Sequence, residues 1–222
     1  MTRLVLFDVD GTLVDSLAHI HRGMDAAMAH LGRPPVPAAR VAEVIGITLD
    51  RAIVLLAGDV EAEALDGAVA AYRRAFSAIG PDDPAASALF SGAHAVLERL
   101  AADDRYVVGI ATGKARRALD HVLAGLDLPV SLATIQTSDG HPSKPHPAMA
   151  LAALDEAGVA GEDAVMVGDT TFDIEMARAA GMRALGVDWG YHPAEALHAA
   201  GAEAVLSRFD ALLPALDGMW PR

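Results

Sequence analysis

Six short apolar runs, separated for most of the chain by stretches of helical pattern, constrain the fold of this chain more than any other feature. Leu4-Val5-Leu6-Phe7 is continuously apolar rather than alternating, as a strand covered on both faces must be. Similar runs are Tyr106 to Ala111, Leu132 to Gln136, Ala164 to Val167, Ala184 to Val187 and Ala204 to Leu206. From about Glu98 onward, strand and helix patterns alternate with short connections. Right-handed crossovers then build an open sheet, so the expected class is α/β with a doubly wound, parallel-sheet, Rossmann-like core.

Residues 16 to 87 break this rhythm. No strand is expected there, and the pattern gives four helical segments over roughly 16–31, 38–45, 48–57 and 61–79. Gly32-Arg33-Pro34-Pro35, Gly46, Gly58 and Gly80-Pro81 punctuate them. An all-helical block placed after the first strand reads as a small inserted α-helical cap domain. The expected division is a core of 1–15 and 87–222 and a cap of 16–86, with hinges near Asp15-Ser16 and around Pro81 to Ser87.

Charge and composition narrow the chemistry. With 53% hydrophobic and 21% charged residues in 222, the chain can bury an ordinary core. It has no cysteine, which removes disulfides, thiolate catalysis and cysteine-ligated zinc. The start lacks the pattern of a secretory signal, and no uncharged apolar stretch approaches membrane-spanning length, so a soluble, cytoplasmic protein is expected. The net charge of −13 repels nucleic acid and anionic membranes, and neither is expected as a partner. It would also repel a phosphate ester, so any phosphate site needs concentrated local positive charge. Of 17 basic residues only two are lysines, Lys114 and Lys144. In a chain so biased to arginine, a retained lysine suggests a need for a compact, mobile ammonium.

Ligands of open parallel sheets bind where strands end, and the residues just after four of the runs are informative. After the first comes Asp8-Val9-Asp10-Gly11-Thr12, whose two carboxylates stand two residues apart and can face one pocket. Asp-Gly is also a hairpin signal, but the next residues read as helix and not as a return strand. After the second comes Thr112-Gly113-Lys114, where Thr112 either caps a helix or joins backbone amides in holding a phosphate. After the third comes Ser143-Lys144-Pro145, a lysine on a loop restricted by proline. After the fourth comes Gly168-Asp169-Thr170-Thr171-Phe172-Asp173, with Asp173 one turn beyond Asp169. Each has an ordinary explanation, a turn, a cap or a solvated charge. Their succession at four strand ends does not. Asp8, Asp10, Asp169 and Asp173 in one pocket require a counter-charge, and an all-oxygen set selects a hard cation, Mg²⁺ first. Mg²⁺ and Lys144 together supply the positive charge that the chain as a whole lacks.

The order D-x-D-G-T, T-G-K, K-P and G-D-x-x-x-D resembles the haloacid dehalogenase superfamily throughout the chain. The helical insert after the first motif is similar to the cap of its phosphoglycolate-phosphatase-like branch. The resemblance implies a Mg²⁺-dependent phosphatase of small phosphorylated metabolites, with 2-phosphoglycolate at their head. It implies Asp8 as nucleophile, Asp10 as general acid and base, and Thr112, Gly113 and Lys144 around the transferring phosphoryl group. It implies Asp8, the Asp10 carbonyl and Asp169 as metal ligands, with Asp173 in support. The chemistry is consistent: metal contact keeps Asp8 ionised, while Asp10, facing other negative groups, holds the proton for the leaving alkoxide.

Other chemistries of the same fold are weighed against this. A carboxylate at Asp10 favours phosphate over halide chemistry, and an insert without lysine excludes an imine-forming phosphonate hydrolase. A sugar-phosphate mutase carries an arginine where this chain has Leu49, which weakens that alternative and leaves it open. A receiver domain would place its acids on different strands and would lack the insert. Within the insert, Gly46, Thr48 and Arg51 are expected to face the substrate, although Gly46 and Thr48 also suit a helix end and the next helix cap. Of nine histidines most are expected on the surface, and His192 in a loop near the pocket mouth.

Overall fold

The computed structural model describes residues 2–80, 82–83 and 86–220. In chain order its elements are β1 (Arg3–Phe7), β2 (Val14–Asp15), α1 (Leu17–His30), α2 (Ala38–Ala42), α3 (Leu49–Ala57), α4 (Ala62–Ser77), β3 (Ala88–Leu89), α5 (Ala93–Ala101) and β4 (Tyr106–Ala111). Beyond them come α6 (Arg116–Leu123), β5 (Leu132–Gln136), α7 (Ala148–Ala157), β6 (Ala164–Gly168), α8 (Thr171–Ala179), β7 (Arg183–Val187), α9 (Ala194–Ala200), β8 (Ala204–Leu206) and α10 (Leu212–Met219). Six strands form one parallel sheet in the order β5-β4-β1-β6-β7-β8. The expected α/β class is what the chain adopts.

The sheet is a barrier between two apolar layers, and β1 shows why its run is unbroken. Val5 and Phe7 enter the core shared with the inserted helices, α5 and α6, while Leu4 and Leu6 enter the core under α7, α8 and α9. All four are fully buried. The strand order reverses at β1, with β4 and β5 on one side and β6 to β8 on the other. Phe7 lies level with Ile110 of β4 and Val167 of β6, so all three strands end at one edge. The crevice at such a reversal is where this class of sheet holds ligands.

The four inserted helices fall close to their expected bounds, and α1 packs along α4 through Ile20, Met24, Ala27, Tyr72 and Phe76. One expectation is corrected at their base. Val14–Asp15 and Ala88–Leu89 form a two-stranded antiparallel ribbon where no strand is expected from the sequence. The residues after Asp10-Gly11-Thr12 accordingly do not pass straight into helix. They fold back, with Leu13 and Val14 both donating to Val9 O, then pair in the ribbon, and α1 begins only at Leu17. Two-residue strands show no alternation, so nothing in the sequence announces them. Of the second expected hinge, Pro81, Pro84 and Ala85 lie outside the described residues.

Candidate active site

The site begins with a charge that has nowhere to go. Lys144 follows β5 on its loop, yet its side chain is wholly buried and its ammonium lies 2.9 Å from Asp8 Oδ1 and 2.6 Å from Asp173 Oδ1. Asp173 is also the third residue of α8, where its Oδ2 accepts from Thr170 N at 3.1 Å and Thr170 Oγ1 at 2.7 Å. The capping box thus locks the carboxylate that holds Lys144. Its helix-start reading and its site reading are both realised in one side chain.

Asp169 is held from the opposite direction. Its Oδ1 accepts from Thr12 Oγ1 at 2.8 Å and its Oδ2 from Tyr191 N at 2.9 Å. Gly11 and Gly190 leave the space it fills: a Cβ on either would fall 2.3 Å and 2.2 Å from Asp169 atoms. Gly11 also has φ +83°, a conformation that L side chains rarely adopt. The sequence alone does not single out Thr12, Tyr191 or Gly190. A threonine inside D-x-D-G-T is the one available signal, since its hydroxyl has no partner that the motif itself explains.

Ligand oxygens of Asp8, Asp169 and Asp173 lie within 4.8 Å of one another. Asp8 Oδ2 is buried and has no hydrogen-bond partner. Burial, helped by Asp173 and Asp10 and opposed by Lys144, pushes the Asp8 carboxyl up to about 7. Asp169 is raised well above the usual carboxylate range by burial and by Asp173 and Asp8, against the bonds from Thr12 and Tyr191. Burial alone would lower Lys144, but Asp173 and Asp8 outweigh it and raise it. The ammonium therefore stays charged while Asp8 and Asp169 resist ionisation.

Asp10 departs from the expected picture. Its carboxylate is near enough to Asp8 to raise it, but its direct partners are not acids: Ser16 Oγ donates to Oδ1 at 2.6 Å, and Lys114 Nζ lies 3.0 Å from Oδ2. Both lysines of the chain are therefore buried in the site, each against one aspartate of D-x-D. Thr112 is buried at the end of β4, where its Oγ1 accepts from Lys114 N at 3.2 Å. The inserted helices meet the core at Gly113, where a Cβ would stand 2.5 Å from Gly46 O and 2.7 Å from Ile47 O. Beside it Thr48 N donates to Ser143 Oγ, the neighbour of Lys144, at 3.0 Å. Thr48 occupies the N-cap of α3 without a side-chain cap bond.

Between insert and core lies a cavity of 770 Å³, walled by Gly46, Thr48 and Arg51 on one side and by Asp10, Gly113 and Lys114 on the other. Asp8, Lys144, Asp169 and Asp173 do not line it. His192 does not line it either: its Nδ1 accepts from Thr171 N at the start of α8. Among the nine histidines, His19 is buried against Phe76 and Ser87.

Removing Lys144 would leave two buried carboxylates facing each other. Lys144→Met is expected to cost about 3–5 kcal/mol of folding stability, measured by urea denaturation at neutral pH. A loss under about 1 kcal/mol would show that the pairing contributes nothing to the fold.

Comparison with known proteins agrees with this geometry. A family model described as haloacid dehalogenase-like hydrolase matches residues 5–187. The chain is similar to Probable phosphatase IndB of Dickeya dadantii, at 35% identity over 99% of this chain and 95% of that one. It is similar to Phosphoglycolate phosphatase 1 of Pseudomonas aeruginosa, at 30% identity over 98% of this chain and 80% of that one. Among solved structures, a haloacid dehalogenase-like family hydrolase from Streptococcus pneumoniae superposes with a TM-score of 0.83 at 26% identity, covering 97% of this chain and 98% of that one. Sequence and fold agree over nearly the full length, and the chain belongs to the haloacid dehalogenase-like hydrolase family.

Proposed function

We propose that this hydrolase is a Mg²⁺-dependent phosphatase of small phosphate monoesters, working through a phosphorylated Asp8. The observation that carries the reading is the charge balance of the buried cluster. Three carboxylates, Asp8, Asp169 and Asp173, cluster together, one ammonium pairs with two of them, and Asp8 Oδ2 has no hydrogen-bond partner. Fully ionised, that cluster carries two negative charges in excess, which suits a divalent cation with oxygen ligands. Asp8, Asp169 and the Asp10 carbonyl would hold it, with Asp173 behind Lys144. When bound, the ion supplies charge neutralisation at the transferring phosphoryl group.

The chain's own residues then divide the work. Asp8 attacks phosphorus, the bond from phosphorus to the ester oxygen breaks, and Asp10 gives the departing alkoxide a proton. Water next returns a proton to Asp10 while attacking the phosphorus on Asp8, which frees phosphate and restores both carboxyls. Thr112, the Gly113 amide and Lys144 hold the phosphoryl oxygens. Asp10 suits the acid's place because it lines the cavity where a leaving group would lie, whereas Asp8 does not line it.

The insert, residues 16–86, is read as a cap that closes over this chemistry and excludes water. Its contacts at Gly113 and Ser143 support that reading. Thr48 and Arg51 are the proposed specificity contacts. Relatives named phosphoglycolate phosphatase put 2-phosphoglycolate first among compact monoesters to assay, ahead of sugar phosphates, nucleotides and pyrophosphate. A mutase is the weaker alternative, since Leu49 stands where an arginine would be expected. No helix among the described residues is long and apolar enough to cross a membrane, which is compatible with the proposed cytoplasmic location.

Asp8→Asn is expected to abolish turnover of an aryl phosphate, because an amide is neither a nucleophile here nor an adequate metal ligand. Asp10→Asn should be crippled most on alkyl phosphates, whose leaving group needs a proton. Near-normal initial rates for Asp8→Asn would end the covalent reading.

Metal binding should be linked to protons. In the metal-free fold the Asp8 carboxyl is raised to about 7, above its ordinary 3.8, so folding retains a proton that the unfolded chain releases. The stability this group contributes is present at low pH and is lost as pH rises towards 7. Mg²⁺ competes with that proton, so millimolar Mg²⁺ should raise Tm more at about pH 8 than at about pH 5. Each tenfold gain in affinity adds about 1.4 kcal/mol. Equal thermal shifts at both pH values, or none, would contradict the assignment of Asp8 to the metal.

A further inference from the structure

Lys114 is fixed more thoroughly than a loop lysine needs to be. Its backbone is held on both sides, N–H to Thr112 Oγ1 at 3.2 Å and C=O from Ser138 N at 3.2 Å. From that anchor the side chain runs inward, 5% exposed, to put Nζ 3.0 Å from Asp10 Oδ2. The same Nζ lies over the Phe76 ring, 4.7 Å from its centre. Asp10 follows β1, Lys114 follows β4, and Phe76 belongs to α4 of the insert. One ammonium therefore joins two core loops to the inserted helices.

Phe76 is not a passive wall. The His19 ring stacks on it at 3.7 Å and 19°, and His19 Nε2 donates to Phe76 O at 3.0 Å. His19 Nδ1 meets Ser87 Oγ at 3.0 Å, beside the short ribbon at the base of the insert. Burial lowers the His19 pKa, and Lys114 and His121 push the same way. A neutral imidazole can support the ring without adding a second cation beside Lys114. The face of the aromatic ring in turn offers the ammonium a desolvated seat.

We propose that Lys114 is the positioning residue for Asp10, and that Phe76 makes this positioning depend on the seating of the inserted helices. With Ser16 Oγ on Oδ1 and Lys114 on Oδ2, both carboxylate oxygens of Asp10 have a fixed partner. Both Asp10 and Lys114 line the cavity, whereas Asp8 does not, so the pair stands on the border between leaving group and phosphoryl group. When the insert lifts, Lys114 loses its ring seat and Asp10 loses one of its two holds. Lysine brings one compact ammonium to both Asp10 Oδ2 and the Phe76 ring in a buried position, where an arginine, though it also stacks on rings, would have to place a larger planar fork. This matches the retention of lysine at this position in a chain with 15 arginines. The inference rests on the acid role proposed for Asp10.

The test is the dependence of rate on the leaving group. Wild type, Lys114→Met, Lys114→Arg, Phe76→Leu and Asp10→Asn are assayed on an aryl phosphate and on a series of alkyl phosphates, with folding checked by circular dichroism. Misplacing an acid costs on the order of 10²-fold. Lys114→Met should slow the first step, the phosphorylation of Asp8 read in a single turnover, by about that much with alkyl phosphates and much less with the aryl phosphate, with substrate affinity little changed. Lys114→Arg should not restore the alkyl rate. Phe76→Leu, which leaves every charge in place, should show a smaller loss with the same bias towards alkyl phosphates. Adding Lys114→Met to Asp10→Asn should cost nothing further. A rise in KM of the same size for every substrate would make Lys114 a substrate-binding residue and overturn the proposal. Additive losses with Asp10→Asn, or a Phe76→Leu effect without leaving-group bias, would overturn it too. If wild type hydrolyses no phosphate ester, it is the phosphatase reading that fails.

Discussion

Everything at this site depends on one buried ammonium between two buried carboxylates. Lys144 touches Asp8 and Asp173, and neither acid could be placed there without it. Three strand ends and one loop must converge to build that arrangement, which is why the register of β1 with β4 and β6 matters. Phe7, Ile110 and Val167 are level, so Asp8, Thr112 and Asp169 emerge together at one edge. The sheet supplies rigidity and the loops supply charge. The remaining deficit of positive charge, centred on the unpartnered Asp8 Oδ2, is what a divalent cation would fill.

The second lysine repeats this logic one layer further out. Lys144 faces the proposed nucleophile and Lys114 faces the proposed acid, so each aspartate of D-x-D has its own cation. The two ammonium groups differ in what surrounds them. Lys144 is enclosed by the core alone, while Lys114 also rests on a ring from the insert. Contacts of Gly46, Ile47 and Thr48 with Gly113 and Ser143 place the insert directly against the loops that carry the two lysines. A chain with net charge −13 thus buries both of its lysines against the acids of this one site.

Much of this was legible in the sequence, for a physical reason. Strands buried on both faces need unbroken apolar runs, and helices of an amphipathic insert need their own period, so both leave long-range traces. The acids and the lysine at strand ends were readable because topology alone brings strand ends together. What escaped notice was set by tertiary packing. The Val14–Asp15 ribbon is too short to show a pattern. The direction of Asp10 depends on Ser16 and on Lys114, about a hundred residues away. The cradle of Asp169 comes from Thr12 and the Tyr191 backbone, and a backbone donor has no sequence signal at all. An expectation that covers most of nine histidines places no single ring, and His19 is buried with Phe76 O and Ser87 Oγ satisfying both ring nitrogens.

The central claim is covalent, and it is tested most directly by looking for the phosphoryl group itself. Asp10→Asn lacks the base proposed for the second step, so in Mg²⁺ and an aryl phosphate it should accumulate phosphoenzyme. Acid quenching and then peptide mass spectrometry would locate the modification, and borohydride reduction would convert a phosphorylated aspartate to homoserine. The account predicts one phosphoryl group, on Asp8, formed in a burst of product equal to the enzyme present. A phosphoryl group on any other residue, or steady turnover with neither burst nor phosphoenzyme, would contradict it.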